Sequence, residues 1–338
     1  MSVKRDFDSR FYYATEFPSG TTVAATFDPN AAYQVGAALG EEVKDYGMDV
    51  LLAPGANLMR NALCGRNHEY YSEDPVVTGK MAAGYIKGVQ SQGVGTCLKH
   101  FAVNNQETNR NNNDSRVAQR PLRELYLKGF EIAVKESQPW SIMTSYNKVN
   151  GKYTCEDIDL IENILRDEWG YKEIVVSDCW AISDFYNKGA HETDPDKQHA
   201  SAKAVLSGTD VECGDSYASL PEAVKEGLID EKQIDISLKR LMKARFELGE
   251  MDEPSQVSWA QIPYSVVDSK EHRELALRMA RESLVLLQNN QSLLPLNKNL
   301  KVAVVGPNAN DSVMQWGNYN GFPSHTTVSY THLTLPTN

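Results

Sequence analysis

Apolar positions follow two rhythms along this chain. Short continuous blocks, MDVLLAP (48–54), GTCLKHF (95–101), SIMTSYN (141–147), EIVVSD (173–178) and GTDVEC (208–213), have the length and β-branched content of buried strands. Between them apolar residues recur at helical spacing, near 31–46, 158–168, 200–206, 221–227 and 232–248. The clearest helix follows Arg120. Pro121 suits a first helical position, and Leu122, Leu125, Tyr126, Phe130, Ala133 and Val134 share one face. This β-α-β-α order predicts an α/β fold with parallel strands and helices outside. A (β/α) TIM-type barrel is the preferred version, and a doubly wound sheet is the alternative.

Polar residues gather at the C-terminal ends of these strands. Lys99 and His100 close the second block, Tyr146 and Asn147 the third, Ser177 and Asp178 the fourth. A barrel brings such ends together at one rim, where active sites form. Any one of them is by default an ordinary loop residue. Three in succession make a pattern.

The helical period is lost over EMDEPSQVSWAQIPYSVV, which reads as a linker. The division predicted is therefore a barrel over 1–250, a linker over 251–268, and the start of an α/β sandwich over 269–328. In that last part HRELALRMARESLVLLQN is a helix or helix-to-strand segment, and LKVAVVGPNAND a strand with a turn. Residues 329–338 fit no compact unit.

Composition narrows the function by exclusion. With Lys+Arg 34 against Asp+Glu 45, the net charge is −11, which repels phosphate backbones and makes nucleic acid an unexpected partner. No apolar run reaches the ~18 residues of a membrane-spanning helix. No secretory h-region follows the N-terminus, so the expectation is cytoplasmic. The 5 cysteines are odd in number and widely spaced, without C-x-x-C. The expectation is unpaired thiols in a reducing compartment, with neither a disulfide framework nor structural zinc. The absence of H-E-x-x-H, G-x-S-x-G and G-x-G-x-x-G argues against a zinc protease, a serine hydrolase and a dinucleotide site.

What remains are donors, a carboxylate and aromatics. Lys99, His100 and Arg110 suit hydroxyl-rich or anionic ligands. Arg66 sits in a turn-rich loop with Glu69, Glu73 and Asp74, which are placed to hold it. Met143 and Tyr146 fit a core as well as a pocket. Asp178 and Trp180 complete a set that fits a carbohydrate, with rings packing on C–H faces and charged groups on hydroxyls. Glycosidic cleavage commonly takes two carboxyl groups, about 5–5.5 Å apart in retaining enzymes and about 6.5–9.5 Å in inverting ones.

In their order, FPSGTTVAATFDP, DVLLAPGANLMRNALCGRNHEYYSEDP, LKHFAVNNQETNR, RPLRELYLKGFEIAV, IMTSYNKVNG, VVSDCWA and SGTDVECG resemble glycoside hydrolase family 3, in its β-glucosidase and β-xylosidase branch. The likeness covers roughly residues 17 to 325. It implies a retaining exo-β-glycosidase without a cofactor or metal, acting on a small β-glucoside or oligosaccharide. It implies Asp178 as nucleophile, and Arg66, Lys99, His100, Arg110, Met143 and Tyr146 around the −1 sugar. Cys179 interrupts the family's Ser-Asp-Trp, so Trp180 takes the platform role one place late. KHF is followed by AVNNQE rather than PGHG, which argues against the N-acetylglucosaminidase branch. The resemblance places the acid/base Glu, and an Asp for the outer hydroxyls, outside this chain, as in a truncated fragment. A β-xylosidase and a sugar-binding fragment that turns nothing over are the alternatives, and oligomeric state leaves no trace.

Overall fold

The five apolar blocks become neighbours in space. A computed structural model describes residues 13–297, 299–301, 303–306, 309, 311, 319 and 321–324. Helices α1 (Gly20–Ala24) and α2 (Pro29–Asp45) precede strand β1 (Val50–Leu51), and α3 (Pro75–Gln90) precedes β2 (Gly95–Phe101). After β3 (Asp114–Ser115), α4 (Gln119–Pro121), a π-helical stretch Leu122–Tyr126 and α5 (Lys128–Ser137) lead into β4 (Ser141–Thr144). A hairpin, β5 (Lys148–Val149) and β6 (Lys152–Tyr153), and a second π-helical stretch, Asp159–Glu168, precede β7 (Ile174–Val176). Then come α6 (Lys197–Leu206), α7 (Leu220–Lys225), α8 (Glu231–Glu247) and α9 (Lys270–Glu282).

The main sheet runs β1-β2-β4-β7, all parallel, and a bridge from Val176 to Val211 adds the fifth block. Spatial order follows chain order without reversal. A doubly wound sheet would reverse at its switch point. The arrangement is an arc of a (β/α) barrel, and every C-terminal strand end lies on one rim. A small sheet of β3, β5 and β6 sits beside that rim.

Leu98, Ile142 and Val175 stand in register across β2, β4 and β7 and are fully buried toward the helices. Phe101 meets Phe130 and Trp169 edge-on, with ring centres 5.4 and 5.9 Å apart. Each such side chain contributes roughly 1.5–3 kcal/mol by leaving water. Met143, next along from Ile142, faces the opposite side, into the barrel.

Helix α3 has no counterpart in the sequence prediction. Its glycines blur the apolar stripe, yet they are what allows it to pack. A Cβ on Gly88 would stand 2.1 Å from the Tyr33 carbonyl oxygen, and one on Gly84 2.2 Å from that of Pro29. Backbone-to-backbone packing of α2 on α3 depends on these positions. The Asp74 carboxylate caps the helix, accepting from the Val76 and Val77 N–H groups at 2.7 and 2.9 Å.

Residues 251–268 form short 3₁₀ turns joined by irregular chain. Helix α9 then docks on α2. Glu42, buried, accepts from the Thr15 N–H at 2.9 Å, the Asp268 N–H at 3.2 Å and His272 Nδ1 at 2.7 Å. Beyond α9 the expected strand at LKVAVV does not form among the described residues. Val305 and Leu287 there stand exposed, without a neighbouring strand to bond to. Val302, Pro307, Asn308, Asn310 and the tail 329–338 lie outside the described residues. No helix among the described residues is long and apolar enough to cross a membrane.

Candidate active site

Asp178 stands one residue past Ser177 at the end of β7, where the strand opens onto the rim. The residue is 7% exposed. One oxygen accepts from the Cys179 N–H at 2.8 Å. The other, Oδ2, is buried and has no hydrogen-bond partner among the described residues. Such an atom is costly to leave unpaired inside a protein.

A polar wall faces it. Lys99 and His100 end β2, and His100 Nε2 lies 3.7 Å from Asp178 Oδ2. This is not an ion pair. Burial, then Arg66, Lys99 and Arg110, hold the His100 pKa well below its ordinary value, so the ring is neutral. Arg66 Nη2 stands 3.0 Å from His100 Nε2 and has only donors, so Nε2 accepts. The ring proton is then on Nδ1, 3.3 Å from the Tyr70 hydroxyl, which donates onward to the Asn104 carbonyl oxygen at 3.3 Å.

Arg66 is itself clamped. Its Nε bonds Glu69, and Nη1 lies 3.7 Å from Glu107. Glu69 also faces Lys99 Nζ at 3.5 Å. The expectation that local carboxylates hold Arg66 is met by Glu69. Asp74 caps α3 instead, and Glu73 makes no contact with Arg66. The Arg110 guanidinium lies 4.3 Å over the Tyr146 ring and donates to Glu107 at 3.1 Å. The Tyr146 hydroxyl donates to the Cys179 carbonyl oxygen at 2.6 Å. Burial and the Asp178 charge raise its pKa.

Arg66, Lys99, His100, Arg110 and Tyr146 are thus gathered around Asp178, and Met143 is buried on the barrel side of β4. Trp180 is 57% exposed and lies on the rim with φ +67°, a left-handed conformation that costs a bulky residue of order 1–3 kcal/mol. Its backbone N–H donates to the Cys213 carbonyl oxygen at 2.6 Å.

Two expectations need correction. Lys99 and Arg110, as cations near a carboxylate, are expected to keep Asp178 ionised. They do pull its pKa down, with Arg66 and the Cys179 N–H, but burial outweighs them and the pKa is raised. The cysteines were expected to be unpaired. Cys179 and Cys213 form a disulfide, with Cα atoms 4.4 Å apart and a sequence separation of 34. The Val176–Val211 bridge brings these strand ends side by side, a proximity that sequence spacing hides. A stable disulfide also runs against a reducing compartment. Cys97 and Cys155 are buried thiols, and Cys64 is half-buried.

Other residues at the site carried no signal in the sequence. Tyr70 and Asn104 fix the His100 tautomer. Tyr319 places its ring 4.9 Å from Lys99 Nζ from far along the chain.

Residues 6–244 match the model of the glycosyl hydrolase family 3 N-terminal domain. The chain is 41% identical to a xylan 1,4-beta-xylosidase of Xylanibacter ruminicola, covering 92% of this chain and 39% of the relative. It is also 41% identical to the thermostable beta-glucosidase B of Acetivibrio thermocellus, over 87% of this chain and 36% of that protein. Among solved structures, beta-glucosidase 3B from Thermotoga neapolitana in complex with glucose superposes with a TM-score of 0.83 at 39% identity, covering 96% of this chain and 44% of that one. A family 3 exo-beta-xylosidase in complex with a xylobiose aziridine probe superposes with a TM-score of 0.87 at 29% identity, over 96% and 44%. The chain spans about two fifths of the length of such relatives. On the domain match, the shared barrel and these identities, the chain belongs to glycosyl hydrolase family 3.

Proposed function

We propose that this chain is the nucleophile-bearing part of a retaining, exo-acting β-glycosidase that releases terminal β-D-glucosyl units by double displacement. The observation that carries the reading is Asp178 Oδ2, buried, unpaired and faced by His100. In the first step this oxygen attacks the anomeric carbon, a glycosyl ester forms, and the leaving oxygen takes a proton from a general acid. Water then cleaves the ester. No carboxyl among the described residues is assigned the acid/base role; in this reading it is supplied by a sandwich domain that opens over 269–328, after a barrel over 1–250 and a linker over 251–268.

Arg66, Lys99 and Arg110 are the donors for sugar hydroxyls, and their bonds tighten as charge moves onto the ring. Neutral His100 presents no charge to compete with the oxocarbenium-like transition state. Trp180 is the platform at the mouth. β-D-Xylosyl is the second reading, favoured by the 41% identity to a xylan 1,4-beta-xylosidase. Paired aryl β-glucoside and β-xyloside assays separate the two by kcat/KM. No turnover of either by protein containing this barrel, with Asp178 intact, would sink both readings.

A further inference from the structure

His100 is gripped from three sides. Asn57 brackets its backbone: Oδ1 accepts from the His100 N–H at 2.9 Å, and Nδ2 donates to the His100 carbonyl oxygen at 3.0 Å. Arg66 Nη2 reaches ring Nε2, and the Tyr70 hydroxyl lies 3.3 Å from Nδ1. Asn57, Tyr70 and Asn104 are all buried. The Tyr70 ring meets the imidazole edge-on, with centroids 6.3 Å apart. Its seat is cut close. Gly55, bridged to Lys99, leaves the space that the ring fills, and a Cβ there would stand 2.9 Å from Tyr70 Cδ1.

A phenol has one hydrogen to give. Tyr70 gives it to the Asn104 carbonyl oxygen, so toward His100 it can only accept. Burial raises the Tyr70 pKa well above its ordinary value, so the phenol stays protonated. The proton of the neutral imidazole then sits on Nδ1, and Nε2 carries a lone pair. Nε2 is the ring atom that faces Asp178 Oδ2, at 3.7 Å. In this tautomer His100 has no hydrogen to offer the carboxylate. In the other tautomer a small approach would make a charge-assisted bond, and the attacking oxygen would be capped.

We infer that Tyr70 is a positioning residue for the glycosidase reaction: by accepting the hydrogen bond from His100 Nδ1 it keeps Nε2 without a hydrogen, and so leaves Asp178 Oδ2 free to attack. The inference rests on the glycosidase reading and names the residue that keeps its nucleophile uncapped.

Ring-nitrogen NMR on protein carrying isotope-labelled histidine reads the tautomer directly. The wild type shows His100 protonated on Nδ1. Tyr70→Phe keeps the ring and removes the acceptor, which leaves a buried N–H unpaired at Nδ1. The proton moves to Nε2, where Asp178 accepts it. Two kinetic changes accompany that move. On activated aryl glycosides of the preferred sugar, kcat/KM falls by roughly 10–100-fold. The acid limb of its pH profile moves to lower pH, because a donor to the carboxylate favours its charged form. The other groups acting on Asp178, namely Arg66, Lys99, Arg110 and Tyr146, are unchanged in the variant. A wild-type His100 protonated on Nε2 overturns the inference, whether or not the variant folds. So does a folded Tyr70→Phe with the wild-type tautomer and acid limb, even if its activity falls, since a merely structural role moves neither. Failure of the wild type to turn over any aryl glycoside, with Nδ1 protonated, overturns the glycosidase reading and with it the role given to Tyr70.

Discussion

Two buried aspartates near the β7 edge show opposite uses of the same side chain. Asp210, behind the sheet, has both oxygens fully engaged. Arg166 donates to it at 2.8 Å, the Val175 N–H at 2.9 Å, Ser237 at 2.9 Å and Arg240 at 2.7 Å. Asp178, at the rim, is equally hidden from water, yet it has a single backbone donor and one bare oxygen. Burial is the same and satisfaction is not. A protein that surrounds one carboxylate with four donors has the means to do so for the other. The incomplete shell marks the group kept ready for a ligand.

The contrast is broken most sharply by exchanging each acid for its amide. Asp178→Asn lowers kcat on activated aryl glycosides by roughly 10³–10⁵-fold. The same change leaves the urea midpoint unchanged or higher, because a poorly solvated carboxyl is removed. Asp210→Asn does the reverse. It removes the buried charge that Arg166 and Arg240 share, leaving Arg166 with Glu162 alone, and costs about 3–5 kcal/mol of stability, read as a fall in the urea midpoint. Equal stability losses from the two changes would erase the distinction.

A smaller effect is expected at the disulfide that joins the ends of the two strands carrying these acids. Cys213→Ser opens a loop with a sequence separation of 34 and costs about 2–4 kcal/mol. Thermal unfolding with and without reductant measures it, and identical curves would show that the bond does nothing for stability.

The smallest effect lies at the α9 contact. Burial opposes charge on His272, but its bonds to Glu42 and Glu41 outweigh this and raise its pKa. A raised histidine stabilises the fold below its unfolded value, about 6.5, and the gain is lost as pH climbs through the higher folded value. The melting temperature should therefore drop between about pH 6 and the alkaline side of the folded pKa. His272→Gln should flatten that slope.

The parts legible in the sequence are those that local pattern dictates. All five apolar blocks are barrel positions, because β-branched runs bounded by turn formers have few other uses. The strand-end residues Lys99, His100, Tyr146 and Asp178 followed, since parallel order alone sends strand ends to one rim. Features set by close approach in three dimensions did not follow. Helix α3 was hidden by Gly84 and Gly88, whose reason is the backbone of α2. The Cys179–Cys213 bond joins residues that only the neighbouring strand ends bring together. The roles of Glu69 and Tyr70 depend on a neutral His100, which is a consequence of burial.

The most direct test is to trap the ester. Incubation with a 2-deoxy-2-fluoro β-glycoside carrying a dinitrophenyl leaving group needs no acid assistance, so it isolates the nucleophile. Peptide mass spectrometry should find the fluorosugar on the peptide containing Asp178 and lose it in Asp178→Asn. A label on Asp184, Glu107 or any other acid, or one that survives the substitution, would contradict the account.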